Sequence, residues 1–198
     1  METNIVSHSY KISKTERQKI NGHNSFLIFL TGLSGSGKST IANVLEQMLH
    51  AKGIRTYTLD GDNIRRGINK NLSFSPEDRT ENIRRISEIA KLFVDAGLVV
   101  LAAFVAPYEK DRKAIKSTVG NENYIEVFVN TSLKVCEQRD VKGLYAKARR
   151  GEISNMTGIS APYEVPKAPD VVVTEKSSIE ESVKIIYNTI KNYLRERK

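Results

Sequence analysis

Residues Phe26 to Thr40 read FLIFLTGLSGSGKST, an apolar run, then a glycine-rich loop, then a lysine and two hydroxyls. Gly32, Gly37, Lys38 and Ser39 satisfy G-x-x-x-x-G-K-[ST], and an apolar-periodic segment begins at Ile41, as the strand–loop–helix context of that motif requires. The residue types follow from the chemistry. Without side chains at Gly32, Gly35 and Gly37, successive N–H groups can curl around phosphate oxygens. The helix that follows turns its positive N-terminal end toward the same anion. Lys38 has the reach for β- and γ-phosphates, and the Ser39 hydroxyl can complete a Mg²⁺ shell. A nucleoside triphosphate is the expected ligand of Gly32, Leu33, Ser34, Gly35, Ser36, Gly37, Lys38, Ser39 and Thr40.

Phosphoryl transfer also needs a carboxylate near the phosphates. The expected strand at 98–105 runs on into Ala106 without an acid, and the one at 124–129 is followed by Asn130, which leaves Asp60 and Asp62 in the string Asp60-Gly61-Asp62-Asn63. Asp62 is the stronger candidate for metal and acceptor. Asp60 reads equally well as a turn former or helix N-cap. Five arginines surround this position, Arg65, Arg66, Arg79, Arg84 and Arg85, and guanidinium groups clamp phosphate or sulfate in bidentate fashion. Arg65 and Arg79 flank the loop after Asp62 and are the better candidates, whereas Arg84 and Arg85 sit on a long helix. Phe74 closes that loop and serves either as core or as a platform for a base. Farther on, Lys142, Lys147, Arg149 and Arg150 could neutralise transferring charge, with Lys147 and Arg150 reading as solvated cations. His8, His23 and His50 show no metal-ligand spacing, and Cys136 reads as core packing.

The elements that must position these groups alternate β and α. Strands are expected at 25–31, 55–59, 98–105, 124–129 and 171–173, the third continuously apolar as a central parallel strand should be. Ser75, Pro76, Glu77, Asp78 and a terminal Gly97 punctuate a long helix with Ile83, Ile86, Ala90, Phe93 and Val94 on one stripe. Helices are also expected from the glycine loop to Lys52, over 109–119, around Val135 and Cys136, and after Ser178. The stretch IRRGINKNLSF reads as irregular. So do residues 140–169, with three glycines and three prolines, a length that suits a mobile lid. Ser13-x-x-Glu16 forms a capping box for a short helix stopped at Asn21-Gly22, and the first dozen residues read as a frayed tail. The expected fold class is α/β, a P-loop nucleoside-triphosphate kinase with a doubly wound, five-stranded parallel sheet, flanking helices and a lid. Residues 1–24 form an N-terminal extension to a kinase domain over 25–198, with the lid at about 140–169.

Composition narrows the class. At 198 residues, 39% hydrophobic and 27% charged, the chain suits one well-buried domain. A single cysteine excludes an internal disulfide and suits a reducing interior. The longest apolar run, Leu98 to Ala106, is too short to span a bilayer, and the N-terminus has no apolar leader core, so a cytoplasmic enzyme without a membrane partner is expected. The net charge of +8 is spread over helices among interleaved acids, without an RNA-binding aromatic signature, so no nucleic-acid partner is inferred.

The strings GLSGSGKSTIA, LDGDNIRRGINKNLSFSPEDRTENIRRI, FVAPY and IEVFVNTSLKVCEQRDVKGLYAKARRGEI, with the following TGI, together resemble the adenylylsulfate kinase family from about Asn21 to Val173. The resemblance implies transfer of the γ-phosphoryl of ATP, with Mg²⁺, to the ribose 3′-hydroxyl of adenylyl sulfate. It implies Lys38, Asp62 and Lys142 as the catalytic set and Ser39 with Asp62 at the metal. Arg139 would lie near the ATP adenine. Asp60, Asn63, Arg65, Arg79 and Asn82 would surround the sulfate-bearing nucleotide, Phe74 would stack on its adenine, and Val105, Ala106, Lys142, Leu144 and Met156 would complete its site. A homodimer and a functional link to ATP sulfurylase are implied as well. The chain departs from the family at two positions. Ala106 stands where many members carry serine, phosphorylated in some, so a phosphoserine intermediate there is chemically impossible. Met156 stands where a second phenylalanine often closes on adenine. Competing readings are a kinase for another small hydroxyl substrate, a regulatory nucleotide-binding module and a nucleic-acid-stimulated ATPase.

Overall fold

The computed structural model describes residues 6 and 8–195. Five parallel strands lie in the order β2-β3-β1-β4-β5: β1 Leu27–Thr31, β2 Thr56–Asp60, β3 Val99–Ala103, β4 Tyr124–Asn130 and β5 Val171–Thr174. Successive strand side chains point to opposite faces, and the two apolar layers divide accordingly. Ile28, Leu30, Leu101, Val127 and Val173 face α2 (Lys38–Ala51) and α8 (Ile179–Ile190) on one side. Leu27, Phe29, Val100 and Ala102 face α4 (Pro76–Asp95) and α5 (Glu109–Val119) on the other. The expected α/β doubly wound sheet is thereby present, with β1 fully buried at its centre. Among the described residues no helix is long and apolar enough to cross a membrane.

The chain leads into this sheet through α1 (Lys14–Asn21), opened by the reciprocal Ser13–Glu16 capping box and closed by Gly22 at φ 70°. It docks on the end of α4 through Arg17–Asp95 at 2.8 Å and through Asn21 Nδ2, which donates to Gly97 O at 2.9 Å. Of the first dozen residues, expected as a frayed tail, 1–5 and 7 lie outside the described residues, and 6 and 8–12 form neither helix nor strand. His23 is buried: the Arg55 N–H donates to its Nε2 at 3.0 Å, so its Nδ1 carries the proton toward Asn24 O.

Two stretches read as irregular contain short helices. Residues Gly61–Arg66 form α3, because the Asp60 carboxylate caps it by accepting from the Asp62 N–H at 3.0 Å. Residues Leu144–Arg149 form α7, whose first N–H groups at Tyr145 and Ala146 are taken by Asp140 at 3.0 and 2.9 Å. Between α5 and β4 lies a single 3₁₀ turn, and α6 (Leu133–Arg139) carries Val135 and Cys136 as expected. The third strand is shorter than its apolar run suggests. After Ala103 the backbone leaves the sheet and reaches φ 40° at Ala106, a left-handed conformation that is costly for alanine. The buried Arg112 holds this turn, donating through Nη1 to Ala106 O at 2.8 Å.

Phe29 is fully buried, with ring neighbours Phe104 and Tyr124 at 6.4 and 6.0 Å. Phe29→Ala should therefore cost about 3–5 kcal/mol, read as a lower urea midpoint at unchanged slope. A loss under about 1 kcal/mol would show that the layer between the sheet and α4 and α5 does not depend on this ring.

Candidate functional site

The carboxyl ends of β1, β2 and β3 open into a cavity of about 550 Å³, at the edge where doubly wound sheets bind ligands. Most of the residues singled out from sequence line it. Gly32, Leu33, Ser36 and the exposed Asn63 do not, and neither do the flanking cations Arg66, Arg84, Arg85, Lys147, Arg149 and Arg150. Gly32, Leu33 and Ser36 act from behind: the Lys38 ammonium donates to Gly32 O at 3.0 Å, Leu33 O at 2.7 Å and Ser36 Oγ at 3.4 Å. Burial pushes Lys38 down to about 8, well below the usual lysine value. Arg139, at the end of α6, reaches over the loop and donates to Gly35 O and Ser36 O at 3.2 and 3.3 Å.

The two acids divide their work. Asp60 Oδ2 accepts from Ser39 Oγ at 2.6 Å while its other oxygen caps α3. Asp62, in the first turn of that helix, is ion-paired with Lys142 from the segment joining α6 to α7. Asp60 is thus both the helix cap and a partner of the glycine-loop hydroxyl, two roles that sequence could not separate. Ser39 and Asp60 offer hard oxygens side by side. Among the described residues no group of three or more His, Cys, Asp or Glu could cage a metal. That set fits Mg²⁺, which keeps water and takes phosphate oxygens along with one or two protein ligands.

Across the cavity Phe74 is 57% exposed and therefore not core. The Arg65 and Arg79 guanidinium groups lie 4.4 and 5.6 Å from its ring centre, a cationic and aromatic wall. Arg79 also donates from Nη2 to Asn155 O at 2.7 Å, which ties α4 to the lid. Arg84 is instead spent on Glu81, and Arg149 and Arg150 pair with Glu137 and Glu152 on the surface.

The lid residues pack around a small core of Cys136, Tyr145 and Met156, with Leu33 and Leu144 against it. Tyr145 Oη donates to Ser34 O at 2.8 Å, fastening α7 to the glycine loop. Sequence reasoning missed Tyr145, Tyr163 and Arg112. Tyr163 Oη lies 2.9 Å from Thr31 Oγ1, which donates to Val105 O at 2.7 Å, and Arg112 Nη2 donates to Glu164 O at 2.7 Å. A basic residue within a charged helix gives no sign of being buried. Its partners come from elsewhere in the fold: the Ala106 and Glu164 carbonyls and, on the neighbouring strand, Glu126, ion-paired to it at 3.0 Å.

A glycine cradle closing on its own lysine, beside a hydroxyl–carboxylate pair and beneath a lid, makes this a nucleoside-triphosphate kinase of the P-loop class. Similarity to known proteins narrows that class. The family model for adenylylsulphate kinase matches residues 24–174, and the chain belongs to this enzyme family. It is 54% identical to the adenylyl-sulfate kinase of Oceanobacillus iheyensis, over 96% of each chain. With the Lactiplantibacillus plantarum enzyme it shares 56%, over 93% of this chain and 90% of the relative. The Mycobacterium tuberculosis APS kinase, solved in complex with AMPPNP and APS, superposes with a TM-score of 0.83 at 44% identity, covering 85% of this chain and 98% of that one.

The lowered Lys38 sets a pH dependence with a definite sign. Below about pH 8 the ammonium is already charged, and between about 8 and 10.5 the free protein leaves it increasingly neutral. A bound triphosphate favours the charged form, so ATP binding in that window takes up a proton and weakens as pH rises. Calorimetry at about pH 9 in two buffers of different ionisation enthalpy should show uptake approaching one proton, lost in Lys38→Ala. Equal heats in both buffers would mean Lys38 does not change protonation.

Proposed function

We propose that this chain is an adenylylsulfate kinase that transfers the γ-phosphoryl of ATP to the ribose 3′-hydroxyl of adenylyl sulfate, yielding 3′-phosphoadenylyl sulfate and ADP. The observation that carries the reading is the two-sided cavity. Phosphate-binding groups of the glycine loop form one wall, Arg65, Phe74 and Arg79 form the other, and the Asp62–Lys142 pair stands at its mouth. One wall suits a triphosphate. The other suits a second anionic, aromatic nucleotide, with guanidinium forks for sulfate and phosphate and a ring for adenine.

In this reading the P-loop backbone, Lys38, Ser39 and Thr40 hold ATP, with Arg139 at its adenine. Ser39 with Asp60, and Asp62 from the acceptor side, would hold Mg²⁺, which when bound neutralises charge on the phosphates. Asp62 orients the 3′-hydroxyl and takes its proton as that oxygen bonds to the γ-phosphorus and the bond to the β–γ bridging oxygen breaks. Lys142 steadies Asp62 and meets the charge passing between the nucleotides, and Leu144 and Met156 supply the apolar closure over the acceptor. Asn82 and Asn63 complete the acceptor wall, with Val105 and Ala106 as its floor. Ala106 ends in a methyl group and cannot carry a phosphoryl group, which supports direct, in-line transfer. The enzyme is proposed to act in the cytoplasm as a homodimer, on adenylyl sulfate made by an ATP sulfurylase.

Incubation with ATP, Mg²⁺ and adenylyl sulfate should give ADP and the 3′-phosphorylated product in equal amounts. No label from γ-³²P-ATP should remain on acid-quenched protein. Asp62→Asn should lower kcat about 10²–10⁴-fold with ATP affinity unchanged. ATP turnover only with some other hydroxyl acceptor would falsify the substrate assignment.

A further inference from the structure

The acceptor wall contains a hydrogen-bond relay whose direction is fixed from outside the cavity. Asn82 is 5% exposed and lines the cavity, and Asn69, in the loop after α3, is fully buried behind it. Asn69 Nδ2 donates to Asn82 Oδ1 at 2.9 Å. Asn69 Oδ1 in turn accepts from Arg85 Nη1 at 3.4 Å, and the same Nη1 reaches Asn71 Oδ1 at 2.8 Å and Ile68 O at 3.2 Å. Arg85 is itself held on α4 by Glu81, at 2.8 Å through Nε.

A guanidinium has donors and no acceptor. Asn69 must therefore turn its oxygen to Arg85 and its amino group to Asn82. Asn82 must then spend its oxygen on Asn69, which leaves its own amino group for the cavity. Among the described residues nothing accepts from Asn82 Nδ2. Were Asn69 free to rotate, Asn82 could present either end, and half of its orientations would set an oxygen lone pair against an acceptor on the ligand.

We propose that Asn69, oriented by Arg85, is a positioning residue that makes Asn82 a donor only, directed at a hydrogen-bond acceptor of the second nucleotide. The inference rests on the adenylyl sulfate reading of that wall. It assigns to Asn69 and Arg85 a part in acceptor selection that neither plays by touching substrate. A site whose buried amide presents the wrong end leaves both partners unpaired, and such mismatches discriminate strongly.

The test is steady-state kinetics on Asn69→Asp, Asn82→Ala and the double variant. Aspartate at 69 keeps the bond to Arg85 but has no donor for Asn82, which must turn its amino group inward. Asn69→Asp should raise KM for adenylyl sulfate about tenfold, the scale of one lost hydrogen bond, with kcat and KM for ATP within about twofold of wild type. In the Asn82→Ala background the same change should cost nothing further, because there is no amide left to turn. A merely structural role for Asn69 would add equally in both backgrounds and would overturn the proposal, as would an unchanged KM. Arg85→Lys and Arg85→Leu, at a half-buried side chain, read the relay from its other end even if Asn69→Asp does not fold. Lysine, also donor-only, should keep KM near wild type, whereas leucine should raise it a few-fold, and equal values for the two would sink the relay. Wild-type turnover of adenylyl sulfate is the control: its absence overturns the substrate reading, while its presence with unaltered variants overturns only the relay.

Discussion

A Cβ at residue 32 would lie 2.5 Å from the Val129 carbonyl oxygen, and one at residue 35 only 3.3 Å from Cys136 O. The glycine loop is thus pressed against the end of β4 more closely than a side chain at residue 32 allows, and packs tightly on the body of α6 at residue 35. Its cradle shape is set by that contact rather than by flexibility. Thr131 Oγ1 donates to Ser36 O at 2.9 Å, and Arg139 donates to that same oxygen and to Gly35 O, so these two outward-turned oxygens are held from the same side. Ser36 N–H is used within the loop, donating to Leu33 O at 3.1 Å, but the neighbouring glycine N–H groups are left for an anion, and the lysine that must meet it is already desolvated. Preorganisation of this kind places charge where phosphate arrives with little rearrangement.

The second wall and the lid are referenced to that cradle by a few long-range bonds. Thr31, the last residue of β1, joins Val105 O to Tyr163, and Arg112 joins Ala106 O to Glu164 O and Glu126. The floor of the acceptor side and the return leg of the lid therefore share supports rooted beside the loop. A buried arginine–carboxylate pair is a poor source of net stability, because desolvation offsets most of its attraction. What it supplies is geometry: a planar fork that fixes two backbone carbonyls, one of them on a residue held at positive φ.

How much of this was legible follows from the range of each signal. The glycine loop, the sheet and the α4 stripe are local patterns, and periodicity or spacing reveals them. α3 and α7 were missed because each is one or two turns long, too short for a periodic stripe, and each exists through a single capping aspartate, Asp60 or Asp140. Asp60 was ambiguous because one carboxylate has two oxygens and uses them separately. Arg112 with Glu126, and Asn69 with Asn82, join residues 14 and 13 positions apart through folded contacts. A polar side chain buried by tertiary structure looks in sequence like any solvated one.

The Asp62–Lys142 pair shows how the parts divide between stability and chemistry. Both side chains are more than half exposed, at 60% and 53%, where an ion pair is worth about 0–1 kcal/mol. It is too weak to hold the lid by itself. The apolar cluster of Cys136, Tyr145 and Met156 and the Tyr145–Ser34 bond do that, at the far side of the same segment. Lys142 is therefore delivered to Asp62 by packing elsewhere, and the fold of the segment does not depend on the pair. A charge so placed, near where the proposed reaction moves negative charge between two nucleotides, acts through position.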